Sequence, residues 1–298
     1  MEISCCWIYA ISKYGYPPCM GDTYKVIEEM AGMGFKSIEL EGIGEGNLKE
    51  IVKDKRKLKK TIEDLGVKVV NFCPVLPDIV SLEKKRRDKG VELFRIGIDI
   101  ARYFDCLTIQ TDSFTPPLKF IGEVPYKKGL SYGKEYKVKL EPDFVWQEQW
   151  NVLVDTFAHC TSLARDAGLR FCLEPRVGEL ISNTDAALRL IDAIGDNGFG
   201  VVLDTAHQHA QKELLPLSVE KLGKKIFYLH VADNDGRDNE HLALGKGTID
   251  WEEFFSALKK HQFNGYVAID VGGNIPNLRE EVIKSKKYLE ELAEKITF

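Results

Sequence analysis

Four residues of the types that hold cations or move protons stand near the ends of four successive apolar runs. They are Glu174, Asp204, His230 and Asp270. In residues 169–174, Phe171 and Leu173 share one parity and the other parity ends at Glu174. Residues 199–204 set Val201 and Leu203 against Asp204, residues 226–231 set Phe227, Leu229 and Val231 against His230, and residues 266–271 set Val267, Ile269 and Val271 against Asp270. Side chains alternate between the two faces of a strand, so each run sends an apolar set one way and a ligand-type residue the other. A carboxylate at a buried strand end is costly unless a salt bridge, a helix cap, a metal or a substrate compensates it. One such residue is ordinarily a cap or a salt-bridge partner. Four together repel, and a cation would hold the three carboxylates ionised side by side. Carboxylates plus an imidazole suit one divalent ion, Mn²⁺ first, with Mg²⁺, Co²⁺ and Zn²⁺ as alternatives.

The elements that would position these residues follow an alternating rhythm. Strands are expected at 3–8, 37–41, 67–73, 107–111, 169–174, 199–204, 226–231 and 266–271, with helical patterns between them. Within "DWEEFFSALKKH", Trp251, Phe254, Phe255 and Leu258 recur on one helical face behind Asp250 as N-cap. Helices are expected to end at Gly34, Gly66, Gly168 and Gly195, and one is read over 56–66. Eight strands alternating with about eight helices match a single (β/α)8 TIM barrel over 1–298. The alternative, a doubly wound sheet, usually shows a Gly-rich first βα turn, and "AISKYGYPPCMGD" has none. Residues 113–144 carry four prolines and six Phe or Tyr rings, too long for an ordinary βα loop. In a barrel this insertion follows strand 4 and projects from the catalytic face, as a substrate lid or as an oligomer contact.

Composition narrows the class. The 298 residues are 44% hydrophobic and 29% charged with net charge −5, which predicts a globular domain with a sizeable core and no dedicated nucleic-acid surface. No run approaches the length of a membrane span. Seven scattered cysteines without a C-x-x-C pair, and a start without a basic n-region, fit a reduced cytoplasm.

The succession "EPR", "VVLDTAH", "YLHVADNDGR" and "HLALGKGTIDW" resembles the xylose isomerase-like barrel superfamily of sugar isomerases and epimerases, inosose dehydratases and apurinic endonucleases. The resemblance spans essentially the whole chain and is strongest from Gly168 to Val271. It implies metal ligands at Glu174, Asp204, His230 and Asp270. It places His207 as a ligand of substrate or of a second metal, Arg237 as a substrate-binding arginine shifted by about one residue, and His241 in the G-x-G loop as a loop-ordering or substrate-facing residue. Arg176, just past Glu174, suits either a substrate hydroxyl, carboxylate or phosphate, or a buried salt bridge.

Two departures matter. The endonuclease branch needs further histidines on strands 3 and 4, where this chain has Cys73 and Gln110, so DNA cleavage is not expected. Epimerases of the family usually carry glutamate where this chain has Asp270, one methylene shorter, which puts symmetric two-base epimerisation in question.

The resemblance therefore implies a metal-dependent isomerase or epimerase of a small sugar or polyol, with Glu174 as main base and Asp270 as second acid/base. An inosose-dehydratase-like or C-glycoside-cleaving lyase is the alternative. A sugar-binding barrel without turnover is the alternative of another class. A homo-oligomer is compatible with all of these. "VGGN" at 271–274 has the form of a phosphate-binding turn after strand 8. Glu39 and Glu41, inward on strand 2, are read as solvated or salt-bridged, with reach to the edge of the site as the alternative.

Overall fold

Short runs rich in β-branched and aromatic residues form buried parallel strands when helices cover their outer face. The computed structural model describes residues 1–127, 129–133 and 136–297. Among them, β1 (Glu2–Cys5), β2 (Ser37–Ile43), β3 (Lys68–Val75), β4 (Thr108–Asp112), β7 (Arg170–Glu174), β8 (Phe199–Asp204), β9 (Ile226–Val231) and β10 (Tyr266–Ile269) close into one barrel. All neighbours are parallel, and β1 pairs with both β2 and β10. The chain is a (β/α)8 barrel.

Three local features differ from the sequence reading. The first strand stops at Cys5, and Ile8–Tyr14 forms helix α1, burying Ile8, Tyr9 and Ala10. A short apolar run does not declare its period, so the switch from strand to helix inside it is not visible. Helix α3 runs Gly44–Asp64, starting a full twelve residues before the segment read as helical. Pairing of β2 with β3 jumps from Ile38↔Val69 to Glu39↔Asn71, so Val70 is an extra residue. This β-bulge lets both Val70 and Asn71 turn into the barrel.

Helix ends agree with the sequence reading. Gly34, Gly66, Gly168 and Gly195 have φ of +83°, +64°, +79° and +65°, a conformation that glycine adopts without a Cβ penalty. Helix α9 (Trp251–Lys260) is capped by Asp250, whose side chain accepts from the Glu253 amide at 3.2 Å.

The barrel wall separates two apolar layers. Inside, Val70, Cys172, Val202, Tyr228 and Ala268 fill the floor below the strand ends, and the Tyr228 hydroxyl hydrogen-bonds Ser4 Oγ at 2.8 Å. Outside, Phe171 stacks edge-on with Phe94 (5.1 Å) and Phe157 (5.7 Å) and tilts against Phe199 (5.6 Å). Phe171 is fully buried, so Phe171→Ala is expected to destabilise the fold by about 3–5 kcal/mol, read from the midpoint of chemical denaturation. A loss below about 1 kcal/mol would mean that this cluster collapses around the cavity.

Of residues 113–144, Lys128, Lys134 and Glu135 lie outside the described residues; the rest rise from the end of β4. They carry an antiparallel hairpin of β5 (Lys119–Ile121) and β6 (Lys137–Lys139). The segment is tied to the carboxyl face of the barrel at several points. Asn239 donates from its amide to Tyr132 O (2.7 Å) and from Nδ2 to Ser131 O (2.9 Å), and the Tyr126 hydroxyl donates to Val177 O (2.7 Å). Among the described residues, no helix is long and apolar enough to cross a membrane.

Candidate metal centre and substrate cleft

The inward parity of β7, β8, β9 and the end of β10 brings four ligand-type side chains to one place. One ligand atom from each of Glu174, Asp204, His230 and Asp270 lies within 4.8 Å of the others, and all four residues are buried. Asp204 shows how a cap and a ligand can coexist. Its Oδ1 accepts from the His207 amide at 2.9 Å, capping helix α7 (Thr205–Ala210). Its Oδ2 is buried without a hydrogen-bond partner among the described residues. Burial pushes this carboxyl well above the ordinary aspartate range, with His241 pulling the other way. An orphaned buried oxygen is expensive in a settled structure, and a cation is a partner that would satisfy it.

His230 is held from both sides. Its Nδ1 lies 2.8 Å from Glu174 Oε1 and its Nε2 lies 3.0 Å from Glu39 Oε1. Carboxylates only accept, so both ring nitrogens carry protons in this arrangement. Burial opposes that charge, but Glu39 and then Glu174 outweigh it and hold the imidazole pKa well above its ordinary value. Burial likewise works against ionised Glu174, and His230 outweighs it to keep the carboxyl down at about 2.

A ring that faces the ligand group through Nδ1 and is anchored by a carboxylate at Nε2 has the form of an oriented metal-binding histidine. The donor set, three carboxylates and one imidazole with an orphaned oxygen, fits a divalent cation. Such an ion must displace the Nδ1 proton, so Mn²⁺ affinity is expected to rise with pH. Calorimetry in two buffers of different protonation enthalpy should count at least one proton released. Affinity independent of pH would remove His230 from the ligand set.

Two further histidines border this group. His241 Nδ1 lies 2.8 Å from Asp270 Oδ2 and 3.0 Å from Asp270 O, while its Nε2 has no partner among the described residues. Burial would lower the His241 pKa, yet Asp270 raises it to about 9. Burial would raise Asp270, and His241 instead holds it well below its usual range. His207 packs edge-on against His241 with ring centroids 5.2 Å apart. Burial, then His241, pushes its pKa well down, leaving a neutral ring.

The loop that presents His241 is organised by buried Asp233. Its Oδ2 accepts from Gly245 N (2.9 Å) and Trp251 Nε1 (3.0 Å), and its Oδ1 from Asn234 N (3.0 Å). A Cβ at Gly247 would meet Asn234 O at 2.2 Å, which explains the second glycine of "GKG".

A chain of amides fixes Glu174 from behind. Thr108 Oγ1 donates to Asn71 Oδ1 (2.7 Å), Asn71 Nδ2 to Gln110 Oε1 (2.7 Å), and Gln110 Nε2 to Glu174 Oε2 (2.8 Å). The sequence reading set Glu39 inward on strand 2 as salt-bridged, and His230 is the partner it left unnamed. It missed this amide chain, in which Asn71 faces inward only through the bulge.

Above the group opens a cleft of about 580 Å³, counting its mouth, lined by Glu174, His207, His230, His241 and Asp270 together with Arg176. Tyr126, Gly129 and Leu130 of the insertion form part of its wall. Arg176 stands there as a salt-bridged residue, with Nη1 donating to Asp112 Oδ2 at 2.6 Å and Nε 3.4 Å from Glu179 Oε1. Arg237 is not brought to the group. Its side chain is 85% exposed and lies 3.7 Å from Asp235, because the loop after β9 turns it outward at Gly236 (φ +73°). The turn at 271–274 offers less to a phosphate than its sequence suggests, since the Gly273 amide already donates to Ser12 Oγ at 2.7 Å.

Comparison with known proteins places this architecture. An uncharacterized protein of Methanocaldococcus jannaschii is 28% identical over 170 residues, covering 53% of this chain and 56% of that one. The inosose isomerase of Bacillus subtilis is 26% identical over 152 residues, covering 48% and 54%. The chain thus spans about half the length of the curated relatives it matches. Among solved structures, a D-tagatose 3-epimerase-like protein superposes with a TM-score of 0.74 at 21% identity, covering 100% of this chain and 98% of the other. An L-ribulose 3-epimerase superposes with 0.76 at 19%, covering 100% and 96%. At these identities the likeness is one of fold. The model of the xylose isomerase-like TIM barrel matches residues 27–292, and the chain belongs to that family.

Proposed function

We propose that this chain is a divalent-metal-dependent isomerase or epimerase of a sugar or polyol, working by proton abstraction next to a carbonyl. The observation that carries this reading is the buried Glu174–Asp204–His230–Asp270 group with its orphaned Asp204 Oδ2, set at the base of a cleft. The similarity to an inosose isomerase and to the fold of ketose 3-epimerases supports it.

Bound by these four residues, a divalent cation, with Mn²⁺ preferred, supplies Lewis acidity for negative charge developing on substrate oxygens. Glu174 takes the proton from the carbon. Gln110 holds its Oε2, so the base is oriented before substrate arrives. Asp270, buttressed by His241, serves as the second acid/base group. His207 and the free Nε2 of His241 orient substrate hydroxyls. Residues 113–144 act as a lid that keeps water from the reacting carbon, a role supported by Tyr126 and Leu130 in the cleft wall. The cytoplasm is the setting that the seven cysteines without a C-x-x-C pair support.

One observation favours a second reading, a lyase that eliminates water. Asp270 is held at both its carboxylate and its carbonyl by the His241 ring, so the two sides of the cleft are unequal. In elimination, Glu174 takes the carbon-bound proton, the electrons form the double bond, and the hydroxyl leaves as water with the His241 proton.

The test is deuterium wash-in from D2O across ketoses and inososes with added Mn²⁺, followed by NMR. Incorporation at one carbon supports proton abstraction, and loss of water together with incorporation selects the lyase. Sugar binding with no exchange for any substrate would overturn the proposal in favour of a binding barrel.

A further inference from the structure

His207 lines the cleft beside the metal group, and its surroundings decide which ring nitrogen carries the proton. The Val177 amide donates to Nδ1 at 3.5 Å. A backbone amide can only donate, so the nitrogen it faces carries no proton. The ring is then neutral with its proton on Nε2, because the bond made by one nitrogen sets the state of the other. One ring nitrogen lies within 4.8 Å of ligand atoms of Asp204 and His241, which places the imidazole at the edge of the metal group.

The Val177 peptide is in turn gripped by the insertion after β4. Its carbonyl accepts from the Tyr126 hydroxyl at 2.7 Å. A Cβ at Gly133 would lie 2.7 Å from Val177 Cγ1, and one at Gly178 would lie 2.6 Å from the Tyr136 ring, so glycine at both positions permits the close approach. Tyr126 is itself clamped. The Arg176 guanidinium carbon lies 3.7 Å from its ring centroid, and its ring meets His207 edge-on with centroids 6.2 Å apart. Its φ of +58° is left-handed, a conformation that a residue with a Cβ keeps only where its surroundings hold it.

We propose that Tyr126 is a positioning residue: by fixing the Val177 peptide it holds His207 in the Nε2–H tautomer, which offers one neutral donor to a substrate oxygen beside the metal group. The opposite tautomer would present a lone pair to that oxygen and repel it. The insertion therefore does more than cover the cleft, since His207 is set for substrate only while Tyr126 rests on Val177. The inference rests on the proposed function only in taking this cleft as the substrate cleft.

Nitrogen-15 NMR of the histidine-labelled, Mg²⁺-loaded protein reads the tautomer directly, with the His207 signals identified by their loss in His207→Gln. The wild type should show His207 as Nε2–H alone. Tyr126→Phe keeps the ring between Arg176 and His207 and deletes only the hydroxyl, so it should show both His207 tautomers while the His230 signals stay in place. For any sugar that exchanges deuterium, kcat/KM of this variant should fall by about 10–100-fold, the range for losing the outer partner of a site histidine. A His207 protonated at Nδ1 or at both nitrogens overturns the proposal. So does a Tyr126→Phe protein whose His207 signals match wild type, or one in which His230 changes along with them, as a merely loosened cleft would show. If the tautomers behave as expected while no sugar exchanges deuterium, the proton-transfer reading fails and the role of Tyr126 stands.

Discussion

Replacing Glu174 with glutamine is expected to lower the rate of deuterium exchange by about 10³-fold or more, within the range of losing a positioned general base together with a charged metal ligand. The amide is nearly the same size and keeps an oxygen for the Gln110 donor, so the chain from Thr108 through Asn71 can survive. The partner that changes is His230, which loses a carboxylate at 2.8 Å. A neutral His230 can then accept from the introduced amide, so far-ultraviolet circular dichroism should be unchanged while exchange collapses. Exchange within about threefold of wild type would show that another group abstracts the proton.

Asp204→Asn separates two functions held by one side chain. Asparagine caps helices about as well as aspartate, so the bond to the His207 amide should persist. The oxygen that changes is Oδ2, buried and without a hydrogen-bond partner among the described residues. Removing that charge is expected to leave the metal-free protein as stable as wild type or slightly more so. The metal response should disappear. At 100 times its dissociation constant, a ligand of the native state stabilises by about 2.7 kcal/mol, or roughly 5 °C in a chain of this size. Wild type should show that rise in Tm on adding Mn²⁺ and lose it with a chelator, and Asp204→Asn should show neither. An equal shift in the variant would assign Asp204 to capping alone.

Much of the scaffold and of the ligand group was legible because both depend on strand parity. Once Val201 and Leu203 face the helices, Asp204 must face the axis, and the same holds for Glu174, His230 and Asp270. Parity failed where the backbone breaks its own rule. Asn71 faces the axis beside Val70 because β3 carries one extra residue, and no local sequence signal marks that bulge. The run at the end of β1 hid helix α1 for a related reason, since its apolar residues serve either period. Arg237 depended on loop geometry after β9, where spacing from His230 does not determine direction. The commitment of Arg176 to Asp112 and Glu179 is a matter of long-range pairing between the ends of β4 and β7, visible only once Asp112 lies beside Glu174.

The seam of the barrel has a consequence for how the protein comes into being. β1 pairs with β2 on one side and with β10 on the other, so one edge of the first strand waits for the last. At about 5–20 residues per second of synthesis, roughly 10–45 s separate the emergence of those two partners on a ribosome. During that interval Glu39 has no His230, and the edge of β1 is open to wrong pairing. The ligand group is drawn from the second half of the sequence, so no early fragment can gather it. A cation held by this group would therefore bind only after β10 has joined the barrel, and would not serve as a nucleus for folding.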